Sequence, residues 1–314
     1  MKKIFLFFFS ILLTLTFIES FLYIDNYRED YKRYKKIINN FDYTTNDEIL
    51  SNFNKDNNFI VFGDSFTYSE VCASKKKDFT SLLAKEYEDC NFYNYGINAG
   101  SPIHYINILN NLELDNIKKI LIVLYYNDIN LTVRNCKLYK KLENIIYYFP
   151  NKCLDIIESN IDTQNDTVLK KIDNFFERKV LIWSLLKETL ANVPYFNRYY
   201  NRNSWKSKFE DPFSQEFLSI INDLKYIKDI SNKNNIELII THFPDVHYVK
   251  EDFSRSYTWN KFIQEAKKFD IKIINPWNFF LSNAENTNMT WSLVDKHPNC
   301  KAHKIMADYL ISNL

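Results

Sequence analysis

The stretch Ile60-Val61-Phe62-Gly63-Asp64-Ser65-Phe66-Thr67 joins a short apolar, β-rich run to a glycine and then to polar residues. A second stretch, Asn94-Tyr95-Gly96-Ile97-Asn98-Ala99-Gly100-Ser101, has the same character. Together they hold the only 3 glycines of 314 residues, where average usage would give roughly twenty. We therefore expect the backbone at these glycines to turn sharply or to approach another group closely.

Apolar β-rich runs recur outward from these two stretches, at residues 59–62, 92–97, 120–126, 236–241 and 271–274. Most are continuous rather than alternating, which is typical of strands covered on both faces. Helix-like stretches lie between them and after them, at residues 79–87, 217–230, 258–269 and 302–314. This alternation predicts an α/β fold, a three-layer α/β/α sandwich around a five-stranded parallel sheet with right-handed crossovers.

The chain divides into an N-terminal segment and one large domain. Residues 1–24 begin Met-Lys-Lys and continue as an apolar run, which as a helix from residue 4 to 24 would span about 31 Å. No small-residue cleavage site follows, so we expect an uncleaved signal anchor, a single transmembrane helix. Residues 25–56 form a connector, and residues 57–314 the domain, with a folded insertion at about 130–213.

The charged residues around the apolar run give opposing signals for the side of the membrane on which the domain lies. Lys and Arg residues are more numerous just after the apolar run than before it, which by the positive-inside rule favours a cytoplasmic domain. The two lysines directly before the run are nevertheless the usual layout of an export signal. We therefore expect an extracytoplasmic domain, in the periplasm or on the cell surface.

Charge and cysteine content exclude some partners. The chain has 40 Lys and Arg against 39 Asp and Glu, so no basic field exists that would attract nucleic acid. None of the 5 cysteines has a spacing typical of zinc sites. After export, Cys72 can pair with Cys90 and Cys136 with Cys153, which would leave Cys300 buried or free.

Polar residues that can carry chemistry follow the predicted strands. Ser65 follows the first strand, Gly100 the second and Asn127 the third. Asp295 and His297 lie in the last loop, just before the final helix. Ligands bind at the carboxyl ends of the strands in open parallel sheets, so we expect these residues to meet there.

Four motifs in this order resemble those of the SGNH/GDSL hydrolase family, over roughly residues 57–314 apart from the insertion. Gly63-Asp64-Ser65-Phe66 is similar to the nucleophile motif, with Phe66 in place of the usual leucine, and Gly100 is similar to the glycine motif. Tyr125-Tyr126-Asn127-Asp128 is similar to Gly-x-Asn-Asp, with Tyr125 in place of the glycine, and Asp295-Lys296-His297 is similar to the Asp-x-His motif. The resemblance implies a flavodoxin-like fold.

The same resemblance implies a role for each matched residue. Ser65 would be the nucleophile, His297 the general base and acid, and Asp295 the residue that orients His297. The N–H groups of Ser65 and Gly100 and the side-chain amide of Asn127 would form the oxyanion hole. His242 follows the fourth strand, and we expect it to line the substrate pocket rather than to bind a metal with Asp245 and His247.

The sequence thus predicts a membrane-anchored serine esterase that acts on acyl esters, in particular O-acetyl esters, of a cell-envelope glycan, without cofactor or metal. Small esters are the other substrate class. One alternative is an O-acyltransferase that uses the same acyl-enzyme and needs a multi-span partner to bring the acyl donor across the membrane. Another is a non-catalytic glycan-binding or assembly protein, in which Trp205→Ala would abolish function and Ser65→Ala would not.

Overall fold

The computed structural model describes residues 2–26, 57–97, 100–110, 112–129, 139–142, 145–148, 214–246, 249, 253–283, 288–292 and 295–314. Most of the predicted insertion, including Cys136, Cys153 and Trp205, lies outside these residues. Within the predicted insertion, β4 (Tyr139–Leu142) and β5 (Ile145–Tyr148) pair as an antiparallel hairpin. Of the predicted connector at residues 25–56, residues 25 and 26 belong to the N-terminal helix, and residues 27–56 lie outside the described residues.

A parallel sheet is built from β1 (Asn58–Gly63), β2 (Asn91–Gly96), β3 (Ile117–Leu124) and β6 (Glu237–His242). The spatial order is β2-β1-β3-β6, and each neighbouring pair is parallel. Residues such as Ile60, Ile122 and Ile240 are fully buried, as expected for strands covered on both faces. From β1 the chain goes to β2 on one side and then crosses back to β3 on the other side of β1. This is the flavodoxin-like pattern, and it leaves a crevice at the carboxyl ends of β1 and β3.

The predicted fifth strand is a correction to the sequence interpretation. Residues 271–274 run beside β6, where the Ile274 N–H donates to the Ile240 carbonyl at 2.9 Å, but they pair only through an isolated parallel bridge from Ile273 to Ile240. Pro276 follows almost at once and cannot donate a ladder hydrogen bond. The regular parallel sheet of the described residues therefore has four strands.

Helices cover both faces of the sheet. Those that follow β1 are α2 (Ser65–Tyr68), α3 (Glu70–Ser74) and α4 (Phe79–Glu86). The others in the domain are α5 (Pro102–Leu109), α6 (Gln215–Lys233), α7 (Phe253–Lys267), α8 (Trp277–Asn283) and α9 (Cys300–Ile311). Helix α9 packs against α4 and α8, whereas α5 packs against α6. The connection from β1 to β2 and the connection from β2 to β3 run in opposite directions across the sheet. Because such crossovers are right-handed, the two groups of helices lie on opposite faces.

The N-terminal segment forms helix α1 (Lys2–Asn26). Several of its apolar side chains are exposed, among them Phe9, Leu13, Phe17 and Ile24. Among the residues that the structure describes, no helix is both long and apolar enough to cross a membrane. The predicted anchor stays a prediction.

A disulfide joins Cys72 in α3 to Cys300, the first residue of α9, with their Cα atoms 5.4 Å apart. The suggested partner, Cys90, is a free, partly buried cysteine. The expectation that Cys300 would be unpaired was therefore wrong, because the fold brings α9 beside the segment that follows β1. Spacing along the chain could not reveal this pair, whose members are 228 residues apart.

Candidate active site

Ser65 lies at the start of a short helix directly after β1. Asp64 has an extended backbone, and its side chain accepts a hydrogen bond from the Phe66 N–H at 2.9 Å. This bond caps α2, so that Ser65 is the first helical residue and its own N–H has no acceptor within the helix. Ser65 is partly exposed at the carboxyl edge of the sheet, where a substrate can reach it.

His297 and Asp295 come to this serine from the loop before α9. His297 Nε2 is 3.0 Å from Ser65 Oγ, and His297 Nδ1 is 2.7 Å from Asp295 Oδ1. Asp295 is buried, whereas 37% of the His297 side chain is exposed. The three groups thus form a relay from a buried carboxylate to the accessible edge of the sheet.

Hydrogen bonds within the loop fix the two relay residues relative to each other. The His297 N–H donates to Asp295 Oδ1 at 3.1 Å, and the Asp295 N–H donates to Ser292 Oγ at 3.0 Å. The Asn299 side-chain amide donates to the carbonyls of Asn288 and Thr290, at 2.9 Å each. Asn299 also caps α9, which connects the loop to that helix.

This arrangement suits nucleophilic chemistry. An ionised carboxylate can only accept hydrogen bonds, so the proton between Asp295 and His297 lies on Nδ1. The lone pair of Nε2 then faces the Ser65 hydroxyl and can take its proton as the oxygen attacks a carbonyl carbon. In such a reaction the Asp295 carboxylate would stabilise the imidazolium that forms on His297.

The three predicted oxyanion donors lie on different elements. Ser65 begins α2, Gly100 precedes α5, and Asn127 lies in a single 3₁₀ turn, Tyr126–Ile129, that follows β3. The Gly100 N–H donates to the Ile97 carbonyl at 2.7 Å, so it must exchange this acceptor before it can bind an oxyanion. The Asn127 side chain lies outside the described part of the chain.

The glycines are explained by close approach. A Cβ on Gly63 would lie 1.9 Å from Thr67 Oγ1 and 2.9 Å from the Val123 carbonyl oxygen. Its register partner in β2, Gly96, would place a Cβ 2.4 Å from the backbone nitrogen of Tyr68 in α2. The absence of side chains lets α2 pack directly onto the ends of β1 and β2, which positions Ser65.

The substrate-binding role predicted for His242 does not fit its position. Its side chain is fully buried, and its ring stacks on that of Trp259 with 4.0 Å between centroids. Burial lowers the pKa of His242 well below its usual range. The position of His242 at the end of a strand indicates which edge of the sheet it is near. It does not indicate the direction of the side chain, which points into the core. Asp245 is also buried, and His247 lies outside the described residues.

A buried acid not identified from the sequence supports the site. Asp128 Oδ2 accepts a hydrogen bond from the Tyr125 N–H at 2.9 Å, which closes the turn that carries Asn127. Burial and then the nearby Asp64 raise the pKa of Asp128 well above its usual value. Asp64 and Asp128 are the second and last residues of two of the quoted motifs, which was the available signal.

Aromatic rings occupy the side of the site next to His297. The Phe66 ring stacks on the Tyr125 ring, with centroids 3.9 Å apart, and lies 5.2 Å from the His297 ring. Phe66 is buried, whereas Tyr125 is partly exposed. Both residues depart from the motifs that the sequence resembles, and their rings pack against each other.

Comparisons with known proteins give only distant matches. No family model matches the chain, and no curated protein matches it. Three of the similar solved structures cover 82% of the chain. One is a lipolytic protein of the G-D-S-L family from Veillonella parvula, with TM-score 0.43, 13% identity and 97% of its own length covered. The second is Axe2, an acetylxylan esterase from Geobacillus stearothermophilus, with TM-score 0.44, 10% identity and 94% of its own length covered. The third is the esterase EstA from Pseudoalteromonas, with TM-score 0.39, 14% identity and 95% of its own length covered.

These identities and TM-scores are too low to identify a reaction. The site itself is more informative, because four short motifs that are far apart in sequence meet at the carboxyl edge of one parallel sheet. Their order, the strand ends that carry them and the contacts of Ser65, His297 and Asp295 make the chain similar to the SGNH/GDSL hydrolases.

Proposed function

We propose that this protein is a serine esterase of the SGNH/GDSL type that hydrolyses acyl esters through a Ser65-His297-Asp295 triad. The observation that carries the proposal is the pair of contacts from Ser65 Oγ to His297 Nε2 at 3.0 Å and from His297 Nδ1 to Asp295 Oδ1 at 2.7 Å. A serine without a catalytic role is not expected to contact a histidine–carboxylate pair at the carboxyl edge of a parallel sheet, where ligands bind.

The reaction would proceed in two halves. In the first, His297 takes the Ser65 proton, Ser65 Oγ attacks the ester carbon, and His297 returns the proton to the leaving alcohol, which leaves an acyl-serine. In the second, His297 takes a proton from water as the water oxygen attacks the acyl-serine, and His297 returns that proton to Ser65 Oγ as the bond to the acyl group breaks and the acid leaves. The N–H of Ser65, the N–H of Gly100 and the amide of Asn127 would hold the oxyanion in both halves.

The substrate and the location belong to the same proposal. We expect O-acetyl esters of a cell-envelope glycan, reached by a domain that α1 anchors on the extracytoplasmic side of a membrane. Exposed apolar side chains on α1 support the anchor. The Cys72–Cys300 bond supports an oxidising compartment, since disulfides are rare in the cytosol.

The test is the intact mass of the full 314-residue chain in detergent after exposure to a fluorophosphonate. We expect one adduct on the wild type and none on Ser65→Ala or His297→Ala, because both the nucleophile and its base are needed. Ser81→Ala is the matched control, because the Ser81 hydroxyl donates a hydrogen bond to an acid, Asp78, rather than to a histidine. This variant should keep the adduct.

A folded wild-type chain that forms no adduct would argue against an activated serine and for a binding or assembly role. An adduct that survives in Ser65→Ala would place the reactive group elsewhere. If the adduct behaves as expected, incubation with acetylated glycan and analysis of the products separates release of acetate from transfer of acetyl to another sugar hydroxyl.

A further inference from the structure

The Cys72–Cys300 bond joins the two segments that carry the reacting side chains. Cys72 lies in α3, which follows the Ser65 helix after a single residue, Ser69. Cys300 is the first residue of α9, three positions after His297. The sulfur atoms thus connect the polypeptide on the two sides of the Ser65–His297 hydrogen bond.

The His297 loop is organised largely by its own hydrogen bonds. The Asn299 N–H donates to the Met289 carbonyl at 2.8 Å, and the Trp291 N–H donates to the His297 carbonyl at 3.2 Å. An antiparallel bridge between Thr290 and Pro298 closes the loop. Such bonds hold Asp295 and His297 in one unit, but they do not determine how far that unit lies from α2.

Contacts that set the distance to α2 include the Ser65–His297 hydrogen bond, the ring contact of Phe66 with His297 and the disulfide. The first two are single noncovalent contacts at a partly exposed edge. The disulfide is covalent, and its Cys72 end is fully buried in the core. It limits the separation of the two segments in every thermal fluctuation of the loop.

Packing farther along the same elements holds the fold independently of the disulfide. The Phe79 and His303 rings stack with centroids 5.7 Å apart, and the Tyr87 hydroxyl donates to the Ile311 carbonyl at 3.2 Å. These contacts keep α4 against α9 even if the sulfur atoms are removed. Loss of the bond should therefore loosen the His297 end of the interface before it separates the helices.

We propose that the Cys72–Cys300 disulfide is a positioning crosslink for the triad, which holds His297 at proton-transfer distance from Ser65. The inference rests on the esterase function proposed above. It differs from simple stabilisation, in which the bond would raise resistance to unfolding but leave the reaction of the folded protein unchanged. Proton transfer is sensitive to distance, and a misplacement of about 1 Å can cost about 10²-fold in rate.

The variants Cys72→Ala/Cys300→Ala and Cys300→Ser remove the bond in two ways. The double variant leaves neither thiol, and the single variant changes only the partly buried end of the crosslink. Cys90→Ser is the matched control, because Cys90 is a free cysteine of the same domain. All are compared with the wild type as full chains, at a temperature where circular dichroism shows each to be folded.

The measurements are kcat and KM for p-nitrophenyl acetate and the rate of Ser65 labelling by a fluorophosphonate. We expect both bond-deleted variants to lose about 10- to 100-fold in kcat and in labelling rate, with KM within about twofold of the wild type. Cys90→Ser should match the wild type. Even if the double variant fails to fold, Cys300→Ser alone still gives this result or its opposite.

Wild-type kcat and labelling rates in a folded bond-deleted variant, even with a lower unfolding temperature, would overturn the inference and leave the disulfide as a stabiliser only. An equal loss in Cys90→Ser would overturn it as well, since the effect would not depend on the crosslink. Failure of the esterase proposal looks different, because the wild type itself would then show neither hydrolysis nor labelling.

Discussion

Three histidines other than His297 are buried in the domain: His104, His242 and His303. Burial lowers the pKa of His104 to about 4 and that of His303 to about 3, and it lowers the pKa of His242 well below its usual range. Each therefore stays neutral in the fold and takes up a proton on unfolding once the pH is below about 6.5. Their contribution to stability is complete above about pH 6.5 and is lost as the pH falls towards the folded values.

His242→Phe should reduce this acid sensitivity. Neither ring nitrogen of His242 makes a hydrogen bond with a residue that the structure describes, so a phenyl ring keeps the stack on Trp259 without a group that titrates. The loss of unfolding free energy between about pH 7 and about pH 5 should be smaller than in the wild type, by at most about 2 kcal/mol. Urea denaturation at the two pH values measures this, and an unchanged loss would mean that other groups cause it.

Asp295→Asn tests the role of the carboxylate without changing its size. An amide can donate to Nδ1 and so favours the tautomer that has its proton on Nε2, where it cannot accept the Ser65 proton. We expect kcat for p-nitrophenyl acetate to fall by roughly 10³- to 10⁴-fold, with little change in the unfolding temperature. Asp308→Asn, which removes an exposed contact with Lys304, is the control and should retain full activity.

At the scale of elements, the packing of α2 on β2 controls where Ser65, the proposed nucleophile, lies. Gly96→Ala would put a methyl group 2.4 Å from the Tyr68 nitrogen and 2.7 Å from its Cα, which are backbone atoms that no rotamer change can move. We expect a loss of about 1–3 kcal/mol in unfolding free energy. A displaced α2 should also lower the labelling rate of Ser65.

Chemical denaturation and fluorophosphonate labelling of the same Gly96→Ala preparation measure both effects. Lys118→Ala, at an exposed position of β3, serves as the control and should change neither. Normal labelling in a destabilised Gly96→Ala protein would contradict the view that the glycine positions the serine.

At the scale of the whole molecule, the sequence was most informative where structure depends on neighbours along the chain. The runs at residues 59–62 and 92–97 lie almost wholly within β1 and β2, because short continuous β-rich segments between polar stretches are typical of buried strands. The segment at 271–274, Ile-Lys-Ile-Ile, is also β-rich, yet Pro276 and the turn into α8 reduce its pairing to a single bridge. Local pattern alone could not weigh that competition.

The site followed the same rule. Ser65, Asp295 and His297 could be identified because each stands in a short motif at the end of an element. The direction of the His242 side chain and the partner of Cys300 depend on contacts between distant segments. No pattern within one segment could predict them.

The Cys72–Cys300 bond also has a consequence for biosynthesis. The ribosome makes Cys72 first among the cysteines of the chain and Cys300 last, with Cys90, Cys136 and Cys153 between them. Until Cys300 is made, Cys72 therefore has only non-native partners among the cysteines of the chain. In the complete fold Cys72 is fully buried, so the bond, once formed, is shielded from exchange with other thiols. The native bond must await the delivery of α9, so that a single late oxidation would complete the chain and its catalytic site together.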